Sequence, residues 1–129
     1  MESKKILAVD DSNLSRRRFV AQPLREAGFE VVEAVDGEDG LNAVEEHDPD
    51  IIVSDLLMPV MDGFEFIAAL RERGVATPVI VASADIQEST RQKLEELGTF
   101  AFMNKPFKST ELVATVEQAI DSLVAEVSK

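Results

Sequence analysis

Five polar side chains stand where short apolar runs end. The acidic pair Asp10-Asp11 follows Ile6-Leu7-Ala8-Val9, and Asp55 closes Ile51-Ile52-Val53. Ser83 follows Val79-Ile80-Val81-Ala82, and Lys105 comes just after Phe100-Ala101-Phe102-Met103. Three carboxylates brought to one place repel one another and disfavour at least one ionised form. A divalent cation removes that penalty. Magnesium takes one or two carboxylates together with waters and phosphate oxygens, and manganese suits the same oxygen donors. Lys105 adds a fixed positive charge. Asp55 is then a carboxylate nucleophile able to form an aspartyl phosphate, with cation and lysine offsetting the charge on the phosphoryl oxygens. Ser83 would donate a hydrogen bond to the product phosphoryl.

What gathers these residues is the pattern between them. Short apolar runs separated by helical stretches read as strands of a parallel sheet buried on both faces. Ligands of such sheets bind in the crevice beyond the carboxyl ends of the strands. Strands are expected over 5–10, 30–34, 50–54, 79–82 and 100–103, and helices over 12–27, 38–46, 64–72 and 87–97. A last helix starts near Ser109, a candidate N-cap, and carries Leu112, Val116, Ile120 and Val124 as an apolar stripe. Val20, Leu24 and Ala27 give the first helix a buried face, with Gly28 as its stop. Pro23 lies inside that helix and should remove one backbone bond. Asp36-Gly37 reads as a turn, and Gly40 weakens the helix after it. Phe64, Ile67, Ala68 and Arg71 are the expected inner positions of the third helix. The strand-helix alternation runs five times, which implies an α/β fold with helices on both faces of the sheet.

The bulk properties narrow the function. The 129 residues suffice for one domain, expected to span 1–129, and the 45% hydrophobic content supports an ordinary core. A formal net charge of −12 opposes binding to nucleic acid or anionic lipid, both polyanions. The chain has no cysteine, so disulfides, thiolate metal sites and cysteine nucleophiles are excluded. No apolar run nears the roughly 18 residues of a membrane helix, and the N-terminal segment is too short for a signal sequence. The expected location is the cytoplasm. Taken singly, each polar residue has a plain explanation. Asp11-Ser12 could cap a helix, Asp55 could sit in a turn, Lys105 could be a solvated lysine and Ser83 a loop hydroxyl. Their joint occurrence at strand ends, in the order and chemistry of a phosphoryl site, favours the combined reading.

The sequence closely resembles the receiver domain of bacterial two-component response regulators, over nearly its whole length. The matching residues are Asp10-Asp11-Ser12, Asp36-Gly37, Asp55 with Met58-Pro59-Val60-Met61-Asp62-Gly63, Ser83-Ala84 and Lys105-Pro106-Phe107. The resemblance implies a flavodoxin-like five-stranded parallel sheet of order 2-1-3-4-5. It implies Asp55 as phosphoacceptor, with Asp11, Asp55 and the Leu57 carbonyl as magnesium ligands and Asp10 acting through water. It also implies a cis Lys105-Pro106 bond, a Ser83 hydroxyl drawn inward on phosphorylation, and an aromatic at Phe102 turning into the vacated space. The family often has tyrosine at the Phe102 position, and phenylalanine has no hydroxyl to read out. The implied donor is a histidine kinase or phosphotransfer domain. The implied output is altered binding of a downstream protein by the surface of about 87–127.

Two positions bear on the lifetime of the phosphoryl group. Leu57, two after Asp55, cannot orient an in-line water, which implies slow loss; Asp85, two after Ser83, complicates that expectation. His47 reads as a solvated residue, so a phosphohistidine must come from another protein. Arg16-Arg17-Arg18 reads as a solvated face, with docking of an acidic partner as the sharper alternative. Three other functions fit the sequence less well. A phosphatase with an aspartyl-phosphate intermediate wants an acid-base carboxylate where Leu57 stands. A nucleotide or flavin site wants a glycine-rich loop after the first strand, and Asp10-Asp11-Ser12-Asn13 is not one. A phosphorylation-independent scaffold would not need the complete set of site residues. The chain is thus expected to be a signalling receiver and not an enzyme acting on free substrates.

Overall fold

The computed structural model describes residues 4–84 and 86–127. Its elements in chain order are β1 (Lys5–Val9), a π-helical segment (Ser15–Ala21) continuing into α1 (Gln22–Glu26), β2 (Glu30–Ala34), α2 (Gly37–His47), β3 (Ile51–Ser54), α3 (Gly63–Glu72), β4 (Val79–Ser83), α4 (Glu88–Glu96), β5 (Ala101–Asn104) and α5 (Ser109–Val127). The strands form one parallel sheet in the expected order, β2-β1-β3-β4-β5.

Alternation along each strand divides the core in two. Ile6, Ala8, Val53, Ile80, Ala82 and Met103 face Val20, Leu24, Leu112, Val116 and Ala119 of the first and last helices. Leu7, Val9, Ile52, Val79 and Val81 face Leu41, Val44, Phe66, Ile67, Leu70 and Leu94 of α2, α3 and α4. Both faces being covered, the strands can be continuous apolar runs rather than alternating ones.

The structure departs from several local expectations. The helix before Pro23 is π-helical, and the Gln22 N–H donates to the Arg17 carbonyl, five residues back. Proline has no N–H to give and its ring crowds the carbonyl four residues earlier; a widened turn accommodates both. Ala27 is exposed, because the helix has ended and Gly28, at φ 98°, already turns the chain. Asp36 is more than a turn residue: its side chain accepts from the Asp39 N–H and caps α2. Ser109 is inside α5 rather than before it, and Ser83 is the last residue of β4. β5 lies one residue later than expected, leaving Phe100 outside it and partly exposed.

In α3 the buried positions are Phe66, Ile67 and Leu70, with Phe64 and Ala68 only partly covered. Gly40 explains the choice. A Cβ there would stand 2.9 Å from the edge of the Phe66 ring, so the glycine that weakens α2 lets α3 pack against it. Arg71 is not a core residue but a bracket. Its guanidinium donates to the carbonyls of Val75 and Thr77 and, across to the end of α4, of Leu97 (2.8 Å) and Gly98 (3.3 Å). Within α4 itself Leu94 is the only buried residue, which leaves that helix lightly attached to the sheet.

Candidate functional site

The strand ends bring the expected residues together. The backbone extends each strand ladder by one bond into the loops: Asp10 N–H to the Ala34 carbonyl (3.1 Å), Asp55 N–H to the Val9 carbonyl (2.9 Å) and Lys105 N–H to the Ser83 carbonyl (2.8 Å). The chain therefore stays in register up to the point where each functional side chain leaves it. Carboxylate oxygens of Asp10, Asp11 and Asp55 lie within 4.8 Å of one another. Lys105 Nζ donates to Asp10 Oδ2 at 2.9 Å and reaches Asp55 Oδ2 at 3.4 Å. Asp10 is buried, Asp55 half-buried and Asp11 exposed, so the cluster opens to solvent on the Asp11 side.

The remaining bonds fix orientation. Asp10 Oδ1 accepts the Ser12 N–H at 3.0 Å, and Asp55 Oδ1 accepts the Leu56 N–H at 2.7 Å. Each of these two carboxylates thus turns its other oxygen toward Lys105. Burial raises the Asp55 pKa, opposed by the Lys105 charge and the Leu56 N–H and reinforced by Asp10. Burial would lower that of Lys105, but the hydrogen bond to Asp10 and the charges of Asp55 and Asp10 prevail and raise it. Lys105 is therefore held firmly as an ammonium.

The donor set consists of hard carboxylate oxygens with no sulfur or imidazole, which suits magnesium or manganese. With all groups ionised, three carboxylates and one ammonium carry a net charge of −2, the complement of one divalent cation.

The other residues singled out in the sequence differ in their relation to this cluster. Ser83 is buried at the end of β4, and Leu57 is exposed on the loop that follows Asp55. Phe102 is half-buried on β5, and the Arg91 guanidinium of α4 lies 5.5 Å from its ring centroid. The Lys105-Pro106 peptide is cis. Asp85 lies outside the described residues. His47 closes α2, partly exposed, its carbonyl accepting from Lys5 Nζ. The arginine run is not uniform: Arg17 and Arg18 are exposed, but Arg16 is buried, with its Nη1 donating to the Asp10 carbonyl at 2.7 Å. Nothing in Arg16-Arg17-Arg18 as a string distinguishes the first, and only its place on the first helix turns it inward.

The loop after β3 contributes strained backbone. Val60 adopts φ 68°, a left-handed conformation that β-branched residues rarely take, and the Met61 N–H donates to the Pro59 carbonyl at 2.7 Å. This is a tight three-residue turn, with the Val60 side chain exposed. Gly63 then passes directly beneath Asp55. A Cβ on it would collide with the Asp55 carbonyl and stand 2.8 Å from Leu56 Cα.

Comparison with known proteins agrees with this geometry. A model of the response regulator receiver domain matches residues 6–117. The chain is 38% identical over 126 residues to the protein-glutamate methylesterase/protein-glutamine glutaminase 2 of Koribacter versatilis, covering 95% of this chain and 34% of that protein. It is 36% identical over 115 residues to the alkaline phosphatase synthesis transcriptional regulatory protein PhoP of Bacillus subtilis, covering 89% of this chain and 48% of that one. The chain thus spans between a third and about half of the length of these two relatives. The chemotaxis protein CheY4 of Vibrio cholerae, crystallised at low pH, superimposes with a TM-score of 0.85 at 35% identity, over 92% of this chain and 99% of that one. A receiver domain protein of Methanospirillum hungatei shares the fold at a TM-score of 0.90 and 22% identity, over 97% and 99% of the two chains. The chain belongs to the response regulator receiver family, the phosphoryl-accepting component of two-component signalling.

Proposed function

We propose that this chain is a signalling switch that accepts a phosphoryl group on Asp55 from a histidine kinase or phosphotransfer domain. The observation that carries the reading is Lys105 Nζ set between Asp10 and Asp55, with Asp11 in the same carboxylate cluster. Asp10, Asp11 and Asp55, with the Leu57 carbonyl, are the residues that would hold Mg2+ or Mn2+. A bound divalent cation would supply charge neutralisation for the phosphoryl oxygens. Asp55 Oδ2 attacks the phosphorus, a P–O bond forms, and the donor P–N bond breaks with its electron pair left on the imidazole nitrogen. The Leu56 N–H holds Oδ1 during the attack, so Oδ2 is the reacting oxygen. Lys105 stays protonated and donates to the transferred group as charge builds on it.

Ser83 ends the neighbouring strand and would donate to the acquired phosphoryl. Phe102 would respond from the adjacent strand β5, and its contact with Arg91 links that response to α4. The output surface is α4, β5 and α5, where the lightly attached α4 can shift at small cost. Beside Lys105 a groove of about 410 Å3 is lined by Leu14, Phe19, Pro106 and Phe107, apolar ground on which a donor protein would seat its histidine. Leu57 offers no group to orient an attacking water, which supports slow loss of the phosphoryl.

The test is incubation of the purified chain with acetyl phosphate, with and without Mg2+, followed by intact mass. One phosphoryl group should add in the presence of Mg2+ and none to Asp55→Asn. Addition to that variant at the same rate, or none to the unaltered chain, would refute the assignment. The adduct should persist for minutes, and loss within seconds would reject the role given to Leu57.

A further inference from the structure

Among the described residues only two charged side chains are buried, Asp10 at 4% exposure and Arg16 at 3%. The mechanism uses the first and leaves the second without a role. Each nitrogen of the Arg16 guanidinium has a specific partner. Nη1 donates to the Asp10 carbonyl (2.7 Å), Nη2 to Asn13 Oδ1 (2.7 Å) and Nε to Glu33 Oε1 (3.0 Å). Glu33, just before the end of β2, is held in turn by Arg25 at 3.2 Å. Arg16 and Lys105 also line one small cavity with Asp10 and Asp55, about 10 Å3 in volume and without room for more than a single water. Burying a guanidinium is expensive unless it is paired and hydrogen-bonded, and the Glu33 ion pair with the bonds to Asp10 and Asn13 specifies its position.

The acceptor it selects matters most. The Asp10 carbonyl belongs to the peptide unit that joins Asp10 to Asp11, and a peptide unit is rigid and planar from one Cα to the next. Holding that oxygen fixes the plane and, with it, the point from which Asp11 leaves the chain. On the far side of Asp11, the Ser12 N–H is held by Asp10 Oδ1. Asp11 is therefore bracketed by two fixed backbone groups, yet among the described residues no hydrogen bond or ion pair restrains its exposed carboxylate. Its direction comes from the backbone alone.

We propose that Arg16 is a positioning residue of the cation site, presenting the Asp11 carboxylate by fixing the Asp10–Asp11 peptide plane. The inference rests on the receiver reading above. Lysine cannot replace arginine fully, because an ammonium has no planar fork with which to span Asp10, Asn13 and Glu33 together. A purely structural role, tying the first helix to β2, would change stability without singling out the affinity for the cation.

The experiment is calorimetric titration of Mg2+ into the unphosphorylated chain and into Arg16→Gln and Arg16→Lys, with phosphorylation by acetyl phosphate followed across Mg2+ concentrations. Arg16→Gln should weaken Mg2+ binding about tenfold, as the loss of outer-shell partners does. The half-saturating Mg2+ concentration for phosphorylation should rise in parallel, while the rate at saturating Mg2+ falls far less, and Arg16→Lys should recover part of the affinity. A folded Arg16→Gln chain with unchanged Mg2+ affinity, or one losing saturating rate as much as affinity, overturns the proposal. Should Arg16→Gln fail to fold, Asn13→Ala decides, since it frees one arm of the guanidinium and leaves the ion pair with Glu33. It should weaken Mg2+ binding about threefold, a fraction of a full outer-shell loss, and unchanged affinity again overturns the proposal. Failure of the unaltered chain to bind Mg2+ would instead bring down the receiver reading and this inference with it.

Discussion

Gly63→Ala offers the sharpest test of how the acceptor loop is built. The methyl group would meet the Asp55 carbonyl, Leu56 Cα at 2.8 Å and Leu56 Cδ2 at 3.0 Å. The first two are backbone atoms, so relief requires the loop after β3 to part from the start of α3. Overpacking of this kind costs about 1–3 kcal/mol. The displacement also strains the Gly63 N–H bond to the Leu56 carbonyl, now 2.8 Å, worth about 1 kcal/mol. Against these, alanine recovers about 0.5–1 kcal/mol of chain entropy relative to glycine. The balance is about 2 kcal/mol of destabilisation, or a fall in Tm of about 6–10 °C for a chain of this size. Thermal unfolding by circular dichroism measures it. Because the atom struck is the carbonyl of Asp55 itself, acetyl phosphate labelling should slow as well. Gly74→Ala is the control. Nothing lies within 4 Å of a Cβ there and φ is 77°, so it should cost about 1–2 kcal/mol of backbone strain and leave labelling unchanged. Unaltered Tm and labelling in Gly63→Ala would refute the close approach as described.

Two other perturbations follow from the site. Asp55 has its pKa raised above 3.8 in the folded chain, by burial first, so the native state binds the proton more tightly than the unfolded one and loses stability as pH rises through that range. Asp55→Asn should therefore raise Tm at neutral pH, with the gain shrinking as pH falls toward 3.8; a lower Tm at neutral pH would show that the bond to Lys105 dominates instead. Val60 at φ 68° stores about 1–2 kcal/mol of left-handed strain, and its exposed side chain gives little packing in return. Val60→Asn should raise Tm by about 3–5 °C, and no gain would mean the turn does not adopt that conformation.

The parts of this molecule that could be read in the sequence are those governed by local pattern. Runs such as Val79-Ile80-Val81-Ala82 mark buried strands because both sheet faces are covered, and the residues just beyond them define a ligand edge once the strands are parallel. What could not be read depends on contacts between distant segments. Phe66 rather than Phe64 faces inward because Gly40 makes room for its ring. Arg16 looks like its two neighbours until the Asp10 carbonyl and Glu33 are placed beside it. The π-helical turn has its cause at Pro23, which does forecast a lost bond; whether the helix kinks or widens depends on the core that Val20 and Leu24 must still reach. Arg71 looks like part of a helical face until the carbonyls closing α3 and α4 converge on it.

The bracket made by Arg71 also divides α4 unevenly. Leu94 and the carbonyls of Leu97 and Gly98 are all at its rear, and the Thr99 hydroxyl closes on the Leu94 carbonyl there at 2.9 Å. The front turns, beginning at Glu88, bury no apolar side chain. Resistance to local opening depends on the apolar area a segment covers, so it must climb along this helix from front to back. Fraying will start at Glu88 and stop at Leu94, giving α4 the character of a hinged flap whose pivot is the guanidinium of a neighbouring helix.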